Sequence, residues 1–345
     1  MRPAEKLNGV KLEGGWTVIN RIGNSSFEGR YLSICYEVMN EKGEKAFLKA
    51  LDYTLALEQI DPAMALHDLT ESFTMERDIL KQCKGSKLRR VAFHIADGTV
   101  KLEGFGGYGQ VSYIIFDSAK YDIRREKELW VDFDVAWCLR SLHETAVGIQ
   151  ELHTLGIAHQ NLKPSKILVF PENGCKISDM ERASHRYLEP SFKNNFIPAI
   201  GYVSPEQWYG WPFGNNFNER FLGDLYQLGS LIFFFFLGCS ATQAIQMKLS
   251  KNNEKSFEKT EFIQDLPYIK QAFGEALVDL SKSVDKYIPR QTEEILRITE
   301  LLCEPDPRQR GDKRVLSFVY VPQYDLQPFI SRFETLARKA ELKLL

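Results

Sequence analysis

The chain has 345 residues, 44% of them hydrophobic and 26% charged, with a formal net charge of -2. That balance fits a globular chain of one large two-lobed domain or two ordinary ones, and the near-neutral charge excludes a bulk attraction to nucleic acid or to an anionic membrane. Six scattered cysteines with no C-x-x-C pair exclude a disulfide frame or a zinc site, and read as reduced thiols of a cytoplasmic protein. The first residues have no apolar run behind them, so no signal peptide is expected, and the longest apolar run, residues 231–237, is too short to span a bilayer.

Residues 16–38 read as strand, turn, strand. Trp16 to Ile19 are β-formers, and Leu32, Ile34 and Tyr36 alternate with polar or small neighbours. The turn between them carries Gly23, Asn24, Ser25 and Ser26, and by itself reads as an ordinary hairpin turn. A further strand, residues 45–51, holds Lys49 in an apolar run. Residues 70–82 have helical composition, with Phe73, Glu76 and Leu80 on one face. A carboxylate on that apolar face is costly unless paired, and Lys49 would solve the problem.

Residues 91–103 and 111–116 read as a second strand pair around Gly104, Gly106, Gly107 and Gly109. No helix pattern follows, so these glycines predict a hairpin and not a nucleotide fingerprint. From 135 to 153 the apolar residues Val135, Leu139, Leu142, Ala146, Ile149 and Leu152 predict an amphipathic helix that ends at Gly156. Residues 225–237 are apolar nearly all round, as in a buried helix, with Gly238 as its cap. Residues 248–259 form a polar loop. Residues 292–303 predict another amphipathic helix, with Ile295, Ile298 and Leu302 inward. A terminal helix over 329–345 puts Phe329, Phe333, Leu336 and Ala340 on one side, which favours a packed tail over a partner-binding helix.

The stretch most telling for function follows Gly156. It reads His159-Gln160-Asn161-Leu162-Lys163-Pro164-Ser165-Lys166, and then Ser178-Asp179-Met180-Glu181. This resembles the catalytic loop and metal-binding loop of eukaryotic-type (Ser/Thr) protein kinases, H-R-D-L-x-x-x-N and D-F-G. Further matches keep the family's order: Ser204-Pro205-Glu206, then Asp224 with Gly229, then Asp306-Pro307 with Arg310. The resemblance covers residues 16 to about 315. It implies an α+β, two-lobed protein kinase-like fold, with a small antiparallel sheet lobe and a mostly helical large lobe. The segments would be an N-terminal extension (1–15), a small lobe (16–117), a large lobe (118–320) and a C-terminal helix or tail (321–345). It also implies a Lys49–Glu76 pair, an Arg310–Glu206 pair, and a hinge at Phe116, Asp117 and Ser118.

The departures cluster in the chemistry. Asn161 stands at the catalytic Asp position and Lys166 at the metal-ligand Asn position, where a cation is not expected to bind metal. Asp179 keeps the metal-binding place and Lys163 keeps its charge without its usual acidic partner. Met180 and Glu181 replace Phe and Gly, and the bland reading of Glu181 is a surface residue. Ala199 replaces the activation-segment Thr. In the glycine-rich turn only Gly23 is in place, and Glu28 opposes a triphosphate. Phe47 replaces the small residue that packs on adenine, and Arg30 or Tyr31 the Val opposite it. The expectation is therefore a pseudokinase that acts through protein binding or regulation. ATP and magnesium are expected to bind weakly or not at all. The competing reading is an active Ser/Thr kinase or nucleotidyl-transfer enzyme with unusual residues. A kinase inactivated on purpose at Asn161 is the variant of it, but that would not need Lys166, Ala199 and Glu181 as companions. An aminoglycoside phosphotransferase relative is disfavoured, because that family lacks the Glu206 and Arg310 motifs.

Overall fold

The structure is a computed structural model that describes residues 2–23, 33–105, 109–187, 201–211, 217–252, 260–312 and 322–344. Two layers of different make-up share the chain. The first is a six-stranded sheet, antiparallel throughout, of β1 (Lys11–Leu12), β2 (Trp16–Arg21), β3 (Ser33–Asn40), β4 (Lys45–Leu51), β5 (His94–Lys101) and β6 (Gln110–Asp117), in the order β1-β2-β3-β4-β6-β5. Alternation along β4 does what period-two patterning requires. Ala46, Leu48 and Ala50 enter a core with Val18, Ile34, Tyr36, Tyr113 and Ile115, while Phe47 and Lys49 face the other way. Residues before β1 are part of this core. Ala4 and Leu7 are fully buried, and Tyr36 donates its hydroxyl proton to Ala4 O at 2.6 Å. The glycine-rich hairpin is closed by Leu102 N donating to Gly109 O at 2.8 Å, with Lys101 opposite Gln110.

After a single turn, α1 (Thr54–Leu57), comes α2 (Pro62–Gly85), longer than the 70–82 expected. Its extra turns begin where Pro62 occupies the first position and the Asp61 side chain accepts a bond from Met64 N. Phe73, Glu76 and Leu80 are all buried on the face toward the sheet.

The second layer is mostly helical. The bridge β7 (Tyr121–Asp122) and α3 (Ile123–Glu128) lead to α4 (Val135–Thr154), whose Leu139, Leu142, Ala146, Ile149 and Leu152 are completely buried. Short strands β8 (Ile157–Ala158), β9 (Ile167–Phe170), β10 (Gly174–Ile177) and β11 (Ser184–His185) carry the loops of interest. Then follow α5 (Pro205–Trp208), α6 (Asn218–Leu237), α7 (Ala241–Asn252), α8 (Phe262–Asp285), α9 (Thr292–Cys303) and α10 (Gln327–Glu341). Helix α6 runs through the centre. By length and composition it could cross a membrane, but 83% of that window is buried inside the protein, which is what a core helix shows. It stops at Gly238, whose φ of 76° lies in the left-handed region that glycine adopts freely. Gly229 lets α9 approach: a Cβ there would lie 2.5 Å from Cys303 Sγ and 2.7 Å from Leu302 Cβ.

Arg310 and Glu206 form a bidentate pair at 2.7 and 2.8 Å, both side chains wholly buried. Arg310 also donates to Leu222 O and Glu304 O, so its fork is satisfied within the protein. The terminal helix α10 packs on α4 through buried Phe329, Phe333, Leu336 and Ala337, with Arg140 reaching Glu334 and Glu341. Ala340 lies at the margin of that face. Of the polar loop expected at 248–259, the first residues complete α7, and 253–259 lie outside the described residues.

Candidate functional site

The loop from His159 to Lys166 takes its shape from α6. Asp224 accepts His159 N at 2.8 Å and Gln160 N at 2.7 Å, and its carboxylate also lies 2.9 Å from His153 Nε2. One turn later, Gln227 accepts Leu162 N at 2.7 Å and donates to Gln160 O at 3.2 Å. Residues three apart share a helix face, so two side chains of one buried helix satisfy the backbone of the loop. That grip holds Gln160 at φ 60°, a conformation costly for a residue with a Cβ. Burial lowers the His159 pKa and keeps the ring neutral, with Asp224 opposing. Its partners fix the tautomer: Nε2 donates to Ser178 O at 3.1 Å and Nδ1 accepts Asn161 N at 3.3 Å. Within this loop Asn161 is half-buried, and Lys163 and Lys166 are buried.

Opposite them stands Lys49 of β4. Its Nζ lies 2.8 Å from Glu76 Oε2 on α2, 3.5 Å from Glu181 Oε2 and 3.7 Å from Asp179 Oδ1. Burial opposes the lysine's charge, but Glu76, Asp179 and Glu181 outweigh it and hold its pKa well above the ordinary amine value. Burial also raises the Glu76 carboxyl, to about 7, against the pull of Lys49. With three carboxylates around one ammonium, Lys49 keeps its proton and Glu76 is the group that titrates. Its second oxygen, Oε1, is buried with no hydrogen-bond partner, which agrees with a carboxyl easily protonated.

Asp179 is at φ 66° and its Oδ1 accepts Glu181 N at 3.3 Å, while Oδ2 accepts from Lys166 Nζ. Burial disfavours its charge, but Lys166 and then Lys49 hold its pKa far below the usual carboxylate range. Met180 is fully buried in the main core, an apolar plug that the flexible thioether fills well.

A metal ion fits this arrangement poorly. Both oxygens of Asp179 are engaged, and the position of the second ligand offers an ammonium, which has donors and no lone pair. The residues therefore do not suit a divalent cation, which demands oxygen ligands. On the adenine side, Phe47 is half-buried and its ring centroid lies 6.3 Å from that of Phe116. At the expected hinge, the Asp117 carboxylate accepts Phe93 N at 2.7 Å and Lys176 Nζ at 2.7 Å, so it braces the junction; Ser118 is exposed. Gly23 is the last described residue before the turn. Glu28, Arg30, Tyr31 and Ala199 lie outside the described residues.

Sequence reasoning missed several participants. Glu181 is not a free surface residue: its side chain is one-third exposed and joins the Lys49 cluster. Gln227 and His153 went unnoticed, although Gln227 stands three residues after Asp224, on the same face. On the outer part of α2, His67, Asp68 and Glu71 bring possible ligand atoms within 4.8 Å of one another, all at or near the surface.

A small antiparallel lobe with one long helix, a helical lobe, and a loop gripped by an Asp of the central helix together define a protein kinase fold. The chain belongs to the protein kinase domain family, which matches residues 28–316. It is similar to mitogen-activated protein kinase kinase 7 of Arabidopsis thaliana, 29% identical over 91 residues, or 26% of this chain and 29% of that one. The serine/threonine-protein kinase/endoribonuclease IRE1 of rice is 28% identical over 190 residues, 53% of this chain and 18% of the relative. Cyclin-dependent kinase 12 of Caenorhabditis elegans is 24% identical over 251 residues, 72% of this chain and 30% of the relative. The chain thus spans less than a third of each of these relatives.

Proposed function

We propose that this protein is a pseudokinase, a kinase fold that acts by binding another protein and not by transferring phosphate. One observation carries the reading. Asp224 and Gln227 hold the catalytic loop in place, yet the group it presents at the base position is the amide of Asn161. Phosphoryl transfer needs a group there that orients the substrate hydroxyl and accepts its proton. An amide can hydrogen-bond but takes up no proton near neutral pH. The lobes then serve as a surface whose shape a partner senses. Nucleic acid and membrane are not the partners we infer, because the net charge of -2 supplies no bulk attraction. All six cysteines are unpaired, which suits a cytoplasmic setting.

A second reading has its own support. The Lys49–Glu76 pair is made at 2.8 Å, as in a kinase poised for transfer, and Glu181 adds a carboxylate to the cleft. Transfer of a phosphoryl or nucleotidyl group by altered residues would use these. The test is autophosphorylation and AMP transfer, followed with radiolabelled ATP in the unmodified chain and in Asn161→Asp and Lys166→Asn. The pseudokinase reading expects no transfer by the unmodified chain. Robust transfer, abolished by Asp179→Ala, overturns it.

A further inference from the structure

In this cleft the two lobes are joined by a row of alternating side-chain charges. The row starts at Lys166, just before β9 in the helical lobe, and passes to Asp179 Oδ2. Asp179 Oδ1 faces Lys49 Nζ on β4 at 3.7 Å, and Lys49 reaches Glu76 on α2 at 2.8 Å. Lys166 is only 5% exposed, and an ammonium so enclosed requires a carboxylate beside it. Asp179 itself sits at φ 66°, an uncommon backbone conformation, with its Oδ1 accepting Glu181 N two residues on. In a metal-using site the bridging would fall to a cation bound by oxygens from both loops. Here the bridge is covalently part of the chain.

We propose that the Lys166 ammonium is a tethered counter-cation that takes the place of a divalent metal. It holds Asp179 against Lys49, so the charge row between the lobes is complete with no metal bound. Three features carry this: Lys166 contacts Asp179 Oδ2 directly, it replaces an oxygen ligand by a group that repels a second cation, and Asp179 Oδ1 is already engaged by Glu181 N and faces Lys49. The inference rests on the reading of the chain as a pseudokinase, but its test reads cation binding and not transfer. The two can therefore fail separately.

Manganese(II) is the probe, because its paramagnetic resonance signal in solution disappears on binding. With the purified full chain, the expected result is no manganese bound through Asp179: the unmodified chain and Asp179→Asn give the same titration. Binding that survives Asp179→Asn comes from other carboxylates, such as those beside His67, and cancels in the comparison. Lys166→Asn, which exchanges the ammonium for an amide oxygen, is expected to tighten manganese binding about tenfold or more. The gain disappears in Lys166→Asn combined with Asp179→Asn. Lys166→Gln, closer in length, serves if Lys166→Asn does not fold. Tight binding by the unmodified chain that Asp179→Asn removes would overturn the proposal. So would folded Lys166 variants that gain nothing.

Discussion

The deep face of α6 and the mouth of the cleft are only a loop apart, yet they are built on opposite principles. Around α6 the wholly buried charges have dedicated partners: Arg310 with Glu206, and Asp224 with two backbone N–H groups and His153. At the mouth, four charges (Lys49, Lys166, Asp179 and Glu181) share one another with Glu76, and one oxygen of Glu76 is left without a hydrogen bond. The first region specifies shape. The second keeps the outline of a catalytic centre while its residues serve internal charge balance. A fold thus survives changes that its chemistry does not, because the two draw on different side chains.

The largest effect is expected from Arg310→Ala. It strands Glu206 as an unpaired carboxylate with no solvent access, which costs about 3–5 kcal/mol. Urea denaturation measures it, and a loss below about 1 kcal/mol would show that the pair does not anchor the helical lobe.

Next comes Asp224→Ala. The N–H groups of His159 and Gln160 lose a charged acceptor, for about 1.5–3 kcal/mol. Amide hydrogen exchange should quicken at those two residues before the rest of the domain. Uniform exchange across the lobe would contradict the assigned grip.

A smaller effect is expected from pH. Glu76 has a folded-state pKa of about 7, above its ordinary 4.5. A carboxyl raised in this way binds more protons when folded, so stability falls as pH rises from 4.5 to about 7. Asp179, held low, acts in the opposite sense: its contribution is present above the ordinary value of 3.8 and is lost only as pH falls below it. Glu76→Gln cannot titrate and should flatten the slope between about pH 5 and about pH 7.5. Equal slopes in both proteins would place the titrating group elsewhere.

The smallest change in stability is expected from Asn161→Asp. The residue is half-buried and the swap keeps its size, so denaturation should shift by about 0.5 kcal/mol or less. A cost comparable to that of Asp224→Ala would mean that the mouth, too, is built for shape.

Much of this was legible without coordinates. Periodicity marked α4, α9 and α10, because a buried helical face repeats every three to four residues, while an apolar run on all sides marked α6. A carboxylate on the apolar face of α2 needs a cation, and the resemblance to kinases named Lys49 as that cation. The loop from His159 to Lys166 stood out by its motif, and Asn161 and Lys166 declared their substitutions by type alone. Residue type, however, does not say what a side chain touches. That Lys166 turns onto Asp179, that Glu181 swings in to Lys49, and that Gln227 carries the loop backbone depend on positions brought together from far apart in the chain. The early residues read as an extension because the resemblance to kinases begins at residue 16. Only packing shows Ala4 and Leu7 closing the core of the sheet. Local pattern fixes which face of an element is buried, since that depends on spacing within one segment. Partner choice depends on the distances between segments, and only the tertiary structure sets those.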